Sequence, residues 1–258
     1  KENISDKKFN IQNTSNNRIV YSDYLKNGFG NVGNFPHNYV IDFTRLREPG
    51  SYVIKIDGNQ SYNFSISRNV YNGIVDSLML FFKVQRCGPT QPLLHEPCHL
   101  SDATSIVGDN SVDKADLTGG WHDAADYVKF LSTTAYTTYM LIFSYEFDRI
   151  RFGFDNNNNA VPDILEEARV GLDWLLRANF LGNKLVTQVQ DLRDHDVGWR
   201  LPENDTLQYD RPGYVGLGKN QIGFYAAALS IGARVWRERF QDYEFAGRLL
   251  RAAENIYS

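Results

Sequence analysis

The hydrophobic period of this sequence changes once, near residue 68, and that change limits the folds open to the chain. Before it, short runs of β-branched and aromatic residues alternate with polar ones, as in Ser51–Ile56. From about Val70 onward, apolar residues recur every three or four positions, which is typical of helices packed on a core. The sequence therefore predicts a mainly α chain, with a β domain over residues 1–67 and a helical domain over residues 68–258.

The β domain contains several short candidate strands separated by strong turn signals. Pro49-Gly50 and Asp57-Gly58-Asn59 are sequences typical of tight turns. Short strands at this spacing indicate an immunoglobulin-like β-sandwich, which we expect to be incomplete because few strands are visible. The predicted strands are Arg18–Tyr21, Tyr39–Phe43, Ser51–Ile56 and Ser61–Ile66.

The helical domain contains five amphipathic segments joined by long loops. Pro162 lies at the predicted start of the third helix, where its missing N–H costs nothing. Residues 180–217 are rich in Gly, Pro, Asp and aromatic residues, and they are predicted to form a loop. The helices are predicted at Val70–Gln85, Leu131–Ile142, Ile164–Leu176, Ile222–Trp236 and Phe245–Ile256.

Composition excludes some classes of function and favours another. A net charge of -4 gives no electrostatic basis for binding nucleic acid or an anionic membrane. No apolar run is long enough for a membrane span. Aromatic residues make up 14% of the chain, which suits a protein that handles neutral sugars. The chain begins with Lys1 rather than Met, so an export signal is not excluded.

One stretch, Thr118–Phe130, combines two glycines with two aspartates three positions apart. The glycines allow a sharp turn. On the first turn of a helix, Asp123 and Asp126 would face one side and could hold a water molecule between them. The pair could orient and deprotonate that water, or it could merely cap the helix amides and complement the helix dipole.

The chain has two cysteines, Cys87 and Cys98, and a histidine next to the second. A disulfide would suit an exported protein. With His99 and His122, however, the cysteines form the ligand set of a closed tetrahedral zinc site. Their spacing matches no common zinc finger, so the residues alone leave both interpretations open.

The segment 155–166 has the spacing of an EF-hand calcium loop. Oxygen ligands occupy positions 1, 3, 5, 9 and 12, and a backbone carbonyl is available at position 7. Ala160 stands at position 6, where that loop normally has glycine. The alternative is a polar, Asn-rich turn before a helix. The candidate ligands are Asp155, Asn157, Asn159, Val161, Asp163 and Glu166.

Four aromatic residues in predicted loops are candidates for stacking on sugar rings: Trp121, Trp199, Tyr209 and Tyr214. Each could instead pack against its own loop. His195 lies between two aspartates in the same region; it could contact a sugar, but the preferred interpretation is a solvated loop.

The string Gly119–Phe130 resembles the signature around the catalytic aspartates of glycoside hydrolase family 9, the inverting cellulase-type enzymes. Ala125 stands where that family usually has glycine. Arg86–Pro89 and Pro97–Ala103 resemble the zinc-bearing subset of the family, which carries an immunoglobulin-like domain ahead of its barrel. Trp199–Asp205 is similar to a segment that flanks the family's cleft, as is 211–214. The loop before Pro162 is also similar to one in family relatives.

The resemblance implies the first part of an (α/α)6 barrel preceded by an immunoglobulin-like domain. It implies that Asp126 is the general base and that Asp123 helps to hold the attacking water. The general acid would be a glutamate beyond Ser258, in the remaining C-terminal part of the same protein. It favours zinc over a disulfide and supports calcium in the Asn-rich loop, both as structural ions.

The expected activity is inverting, endo-acting hydrolysis of a β-1,4-glucan such as cellulose, mixed-linkage glucan or xyloglucan. Two alternatives remain: a glycan-binding relative without catalysis, and an exo-acting glucosaminidase of the same fold. The expected partner is a polysaccharide or oligosaccharide. The expected location is extracellular, periplasmic or at the cell surface.

Overall fold

The computed structural model describes residues 7–28, 30–71, 73–180, 183–207, 209, 211–216 and 218–257. The chain forms two compact units, Lys1–Gly73 and Ile74–Ser258. Each unit has its own hydrophobic core. The first unit is built from strands, and helices dominate the second.

In the described part of the first unit, five strands form one antiparallel sheet and two more form a separate antiparallel pair. The sheet has the order β2-β1-β5-β6, with β7 also paired to β5, and the separate pair is β3-β4. The strands are β1 (Lys8–Asn13), β2 (Ile19–Tyr24), β3 (Lys26–Asn27), β4 (Tyr39–Val40), β5 (Gly50–Ile56), β6 (Asn59–Gln60) and β7 (Phe64–Ile66).

The centre of this sheet is β1, a strand that the sequence does not predict. Phe9 and Ile11 alternate into the core and are fully buried, and β1 pairs with both β2 and β5. Two apolar residues in six give too weak an alternation to be recognised without the neighbouring strands. The predicted strands Tyr39–Phe43 and Ser61–Ile66 are shorter than expected, since only β4 and β7 form within them.

The described residues of the second unit contain all five predicted helices and one additional short α-helix, besides two short 3₁₀ helices. The first begins at Ile74 rather than at Val70, which is a correction to the prediction. No helix in the described ranges combines the length and the apolar character needed to cross a membrane. The helices are α1 (Ile74–Gln85), α2 (Leu131–Phe147), α3 (Arg149–Phe152), α4 (Asp163–Ala178), α5 (Lys219–Arg239) and α6 (Tyr243–Tyr257).

Helix α2 packs against both α4 and α5, and α5 packs against α6. Gly171 of α4 lies close against Thr138 of α2. A Cβ at this position would lie 2.0 Å from Thr138 Oγ1 and 2.6 Å from the ring of Trp121. Only glycine fits there, and its absent side chain lets α4 lie directly against Trp121.

A small four-stranded sheet in the second unit positions the candidate site. Its order is β8-β11-β10-β9, where β8 is Ile106–Val107, β9 is Lys129–Phe130, β10 is Val186–Val189 and β11 is Gly213–Val215. The predicted loop over residues 180–217 is therefore wrong at β10 and β11. These strands are short, and their period is hidden because they pair with partners that are distant in sequence.

Candidate active site and metal centre

Four buried side chains, two thiols and two imidazoles, converge on one point. They belong to Cys87, Cys98, His99 and His122, and their ligand atoms all lie within 4.8 Å of one another. His122 Nε2 is 3.1 Å from His99 Nδ1 and 3.7 Å from Cys98 Sγ. A tetrahedral zinc ion bound at about 2.3 Å to sulfur and about 2.0 Å to nitrogen separates its ligand atoms by roughly 3.3–3.8 Å. The observed spacing fits such an ion, and both thiols are free.

Backbone pairing brings these ligands together. The N–H of Cys87 donates to Gly120 O at 2.9 Å, and the N–H of His122 donates to the last carbonyl of α1 at 2.8 Å. Gly88 has φ +69°, and a Cβ on it would lie 2.4 Å from the amide nitrogen of Gly119. The chain after α1 can therefore lie flat against the double-glycine turn (Gly119-Gly120) only because residue 88 is glycine.

The pKa values of Cys87 and His122 suit metal ligands, whereas that of Cys98 is shifted the other way. Burial alone would raise the pKa of the Cys87 thiol, but a hydrogen bond from Cys98 and the charge of Lys129 hold it well below its usual range. Burial lowers the pKa of His122 to about 4, which keeps that imidazole neutral. The hydrogen bond to Cys87, together with burial, raises the pKa of the Cys98 thiol. Without a metal, the group therefore accommodates one thiolate rather than two.

The buried charges around the group balance one another. Lys129 Nζ is 2.5 Å from Asp102 Oδ2 and 3.5 Å from Cys87 Sγ. Arg211 Nε is 3.5 Å from the other oxygen of Asp102. Asp205 Oδ2 lies 3.0 Å from His99 Nε2, and Arg200 pairs with both Asp205 and Asp194. These three cations and three carboxylates cancel, so a pair of thiolates needs a divalent cation between them. The donor set therefore fits zinc.

Asp123 and Asp126 lie in a turn that follows His122 directly. The prediction that they occupy the first turn of a helix is wrong, because α2 begins only at Leu131. The N–H of Asp123 donates to Val128 O at 2.8 Å, and Tyr127 has φ +60°, so the chain closes a turn and then enters β9. Asp123 is exposed, and the Asp126 side chain retains 27% of its exposure.

Ala125 lies between the two aspartates, at the position where the resemblance leads us to expect glycine. Its backbone does not have a positive φ, and the residue is exposed. An alanine methyl group is therefore tolerated in this turn without backbone strain.

The structure brings His195 to the aspartate turn, a contact that the sequence interpretation missed. His195 Nδ1 is 2.9 Å from Asp126 Oδ2. The histidine ends a short 3₁₀ helix, Leu192–His195, which follows β10. In the sequence, the signal for this contact is a histidine between two aspartates. The pairing of β9 with β10, which sets this contact, could not be read from the sequence.

The four candidate sugar-stacking residues differ in accessibility. Trp199 and Tyr209 are 78% and 73% exposed, whereas Tyr214 is half-buried within β11 rather than in a loop. Trp121 is only 6% exposed, and its indole N–H donates to Glu167 Oε1 at 2.8 Å. Two of the four rings therefore offer open faces in the described structure, and Trp121 serves mainly as packing behind the turn.

A small cavity opens beside Asp123 and Trp121, with a volume of about 100 Å³. This is room for a few water molecules. Its remaining walls combine aromatic rings and an amide from α1 with hydroxyl groups from α2: Phe81, Phe82, Gln85, Thr133, Thr134 and Thr137. The Asp123 carboxylate thus borders a space that water can fill.

Two family models match the chain. Glycosyl hydrolase family 9 matches residues 71–258, and the cellulase N-terminal ig-like domain matches residues 1–61. The chain belongs to glycosyl hydrolase family 9. The family resemblance and the fold class predicted from the sequence are confirmed: an immunoglobulin-like domain precedes part of an (α/α)6 barrel.

Several named proteins are similar over most of this chain. Endoglucanase D of Acetivibrio thermocellus is 28% identical in a 233-residue alignment that covers 85% of this chain and 36% of that protein. A cellodextrinase of Butyrivibrio fibrisolvens is 29% identical in a 234-residue alignment that covers 85% of this chain and 41% of that protein. The crystal structure of a metagenome-derived family 9 endoglucanase superposes with a TM-score of 0.78 and 28% identity, covering 97% of this chain and 47% of the other. The chain thus spans less than half the length of these relatives.

The calcium-like loop of this family 9 chain folds back on itself. The amides of Asn159 and Ala160 donate to the Asp155 carboxylate at 3.2 and 2.8 Å. Asn157 Nδ2 donates to both oxygens of Glu166 at 3.0 and 3.1 Å, and Asn159 Nδ2 donates to the same carboxylate. The oxygens of the two side-chain amides accept backbone N–H groups, Asn157 Oδ1 from Asn159 at 3.1 Å and Asn159 Oδ1 from Val161 at 2.9 Å. The carboxylates of Asp155 and Glu166 thus suit an oxygen-preferring cation, and the two asparagines would have to turn to join them.

The remaining candidate ligands of the loop are arranged differently. Asp163 is buried and accepts hydrogen bonds from the backbone and side-chain nitrogens of Asn156 at 3.0 and 2.8 Å. The N–H of Val161 donates to Asn159 Oδ1 at 2.9 Å. Ala160 has φ +69°, the left-handed conformation for which an EF-hand loop uses glycine. The loop thus keeps its turn despite the alanine.

Proposed function

We propose that the full-length protein is an endo-acting glycoside hydrolase that cleaves β-1,4-linked glucan with inversion of configuration. One observation carries the proposal: the turn bearing Asp123 and Asp126 is open to solvent, and it is held between the buried Cys/His group and His195. Family membership and relatives named as an endoglucanase and a cellodextrinase support the same reading. Cellulose, mixed-linkage glucan and xyloglucan are the candidate substrates.

In the proposed reaction, Asp126 is the general base. Its Oδ2 is held by His195, which leaves Oδ1 to accept a proton from water as that water attacks the anomeric carbon. Asp123 accepts the second hydrogen bond of the same water and so fixes its direction of attack. The family resemblance assigns the general acid to a glutamate outside this chain. Inversion requires about 6.5–9.5 Å between the acid and the base, so that water fits beside the sugar.

We propose that Cys87, Cys98, His99 and His122 hold a structural zinc ion. With four protein ligands, bound zinc has no open position for water or sugar, so its contribution is to rigidity. His122 directly precedes Asp123 in the sequence. A fixed His122 ring therefore fixes the start of the aspartate turn.

We propose a structural calcium ion in the Asn-rich loop, with Asp155, Asn157, Asn159 and Glu166 as side-chain ligands. The EF-hand spacing adds the carbonyl of Val161 and, through water, Asp163. The loop leads directly into α4, whose residue Gly171 lies against Trp121. The ion would thus support a helix behind the active site.

We propose that Trp199 and Tyr209 stack on glucose rings, because both are exposed in the segment between β10 and β11. Tyr214 and Trp121 are more enclosed, so they would contact sugar only at an edge. An enzyme that acts on a polymeric glucan must meet it outside the cytoplasm, and we therefore propose that the protein is exported.

The proposal is tested with the full-length gene product. Soluble cellulose derivatives, mixed-linkage glucan and xyloglucan are assayed for new reducing ends and for loss of viscosity, and proton NMR follows the anomer released first. We expect a rapid fall in viscosity and an α-anomer product. Chitosan oligosaccharides test for a glucosaminidase, and glucan binding without product would indicate a non-catalytic relative.

The matched variants for this assay are Asp126→Asn and Asp113→Asn. Loss of the base should reduce turnover by at least about 10²-fold while the fold is retained. Asp113 is an exposed carboxylate in the same unit, and its variant should hydrolyse glucan as the wild type does. Undiminished turnover in Asp126→Asn would refute the assignment of the base.

A further inference from the structure

A chain of polar contacts links the Cys/His group to the segment that carries His195. His99 Nε2 is 3.0 Å from Asp205 Oδ2. The other oxygen of Asp205 accepts a hydrogen bond from Arg200 Nε at 2.8 Å, and Arg200 Nη2 donates to Asp194 Oδ1 at 3.0 Å. The side chains of Asp194 and Asp205 have no exposed surface. Asp194 directly precedes His195, the residue that contacts the base.

Arg200 also contacts the other side of the aspartate turn. Its guanidinium carbon lies 4.9 Å from the centre of the Tyr127 ring, and the Tyr127 hydroxyl donates to the Arg200 carbonyl. The same ring packs on His122 and His99, with centroids 4.9 and 5.3 Å apart. Tyr127 follows Asp126 directly and has φ +60°. Arg200 therefore touches the residue after the base and, through Asp194, the segment of the base's histidine partner.

Arginine is suited to this position by its shape. One guanidinium donates to Asp194 and Asp205 through two different nitrogens while its face lies over Tyr127. A lysine ammonium has three donors on one atom and no planar face, so it could satisfy only one of the carboxylates at good geometry.

We propose that Arg200 is a positioning residue that couples the metal centre to the general base. It fixes Tyr127 on one side of Asp126 and the His195 segment on the other. This inference rests on the proposed function, because it assigns a role toward the base of that reaction. Arg200 acts through Asp126, so its loss should lower kcat with little change in KM.

The first test uses the full-length, metal-loaded enzyme and the variants Arg200→Met, Arg200→Lys and Arg237→Met. We expect Arg200→Met to keep its zinc and lower kcat about 10–100-fold, with KM within about twofold of wild type. Arg200→Lys should recover part of kcat, because it can still pair with one carboxylate. Arg237 lies in α5, is 54% exposed and is 3.9 Å from the exposed Glu238, so Arg237→Met should match wild type.

Three outcomes of this test would overturn the inference. The first is an unchanged kcat in zinc-loaded Arg200→Met. The second is a raised KM with normal kcat, which would make Arg200 a substrate contact. The third is loss of zinc together with activity in both Arg200 variants, which would make its role purely structural. Arg200→Lys retains the charge, so it keeps the test decisive if Arg200→Met does not fold.

A second readout does not depend on turnover. In ¹⁵N-histidine NMR spectra, we expect removal of the metal by a chelator to shift the His195 ring signals in the wild type but not in Arg200→Met. An unchanged His195 signal in the metal-free wild type would contradict the coupling. A wild-type enzyme that cleaves no glucan would instead refute the proposed function, while these spectra would still decide whether Arg200 links the two centres.

Discussion

The two candidate metal sites of this chain are built in opposite ways. The Cys/His group collects its ligands from the end of α1, from the irregular segment after it and from the double-glycine turn, and all four are buried. The calcium-like loop takes its ligands from the single stretch 155–166, in which residues 156–160 are exposed. A metal at the first site would join segments that are separate in the sequence, whereas a metal at the second would shape only the loop that provides its ligands.

The difference lies in what the donor atoms contact without a metal. In the loop, backbone amides and neighbouring side chains already satisfy Asp155 and Glu166. In the buried group, Cys98 and His122 have mainly the other ligands as partners. Burying a polar group without a hydrogen-bond partner costs free energy, whereas an exposed polar group can form hydrogen bonds with water. The buried site should therefore control both stability and turnover, and the loop should affect stability alone.

The largest effect is expected from Cys98→Ser in the full-length protein. A serine hydroxyl is a poor zinc ligand, so the proposed ion should be lost, which leaves Cys87 buried with an incomplete set of partners. The free energy of unfolding should fall by about 3–5 kcal/mol, the usual result of removing one member of a buried charged set. Zinc content by atomic absorption and calorimetric melting measure the result.

Turnover should be lost together with the zinc in Cys98→Ser. The matched control is His37→Gln, which removes an exposed histidine outside the group and should retain zinc, stability and activity. A Cys98→Ser variant that melted and hydrolysed glucan as the wild type does would abolish the distinction drawn between the two sites.

The next effect tests the packing behind the aspartate turn. Gly171→Ala places a methyl group 2.0 Å from Thr138 Oγ1 and 2.6 Å from the Trp121 ring, so α4 or Trp121 must move. We expect unfolding to become easier by about 1–3 kcal/mol, the usual cost of overpacking. Activity should also fall, because Trp121 directly precedes His122 and Asp123.

Gly223→Ala is the matched control for this substitution. A Cβ on Gly223 meets nothing within 4 Å, and the residue lies in α5. It should stabilise the protein by about 0.5–1 kcal/mol, as replacing a helical glycine usually does. Equal denaturation midpoints for the two variants would show that α4 is not held tightly against Trp121.

A smaller effect is expected from Asp205→Asn, which leaves all four metal ligands in place. The amide keeps one acceptor but loses the charge that orients His99, so zinc affinity should fall about 10–100-fold. Competition with a chromogenic chelator measures this affinity. Asp196→Asn, an exposed change in the same region, should leave it unaltered. An unchanged affinity in Asp205→Asn would mean that His99 is oriented by packing alone.

The same contrast explains how much could be predicted from the sequence. The helices, the aspartate turn, the Cys/His set and the calcium-like loop all have local signals: a period, a spacing or a contiguous motif.

The strands β1, β10 and β11 have too few apolar residues to show a period and become strands only through distant partners. The contact of His195 with Asp126 depends on that pairing, and so does the position of Arg200 over Tyr127. The aspartates were predicted by residue, but their turn was mistaken for a helix start, because Tyr127 adopts a positive φ that its sequence does not indicate.

The smallest effect is expected from Glu166→Gln, which removes the charge at the last position of the calcium-like loop. With free calcium about fourfold above its dissociation constant, binding contributes about 1 kcal/mol to stability, and the variant should lose that calcium-dependent part. Because the loop amides still cap Asp155, the calcium-free wild type and the variant should melt together. The melting temperature with and without calcium measures this, and zinc content and kcat should stay at the wild-type level.

The matched control is the exposed Glu238→Gln, outside the loop, which should keep its calcium response. If Glu166→Gln abolished turnover as Cys98→Ser does, the loop would reach the active site through α4, and burial would not be what separates the two sites.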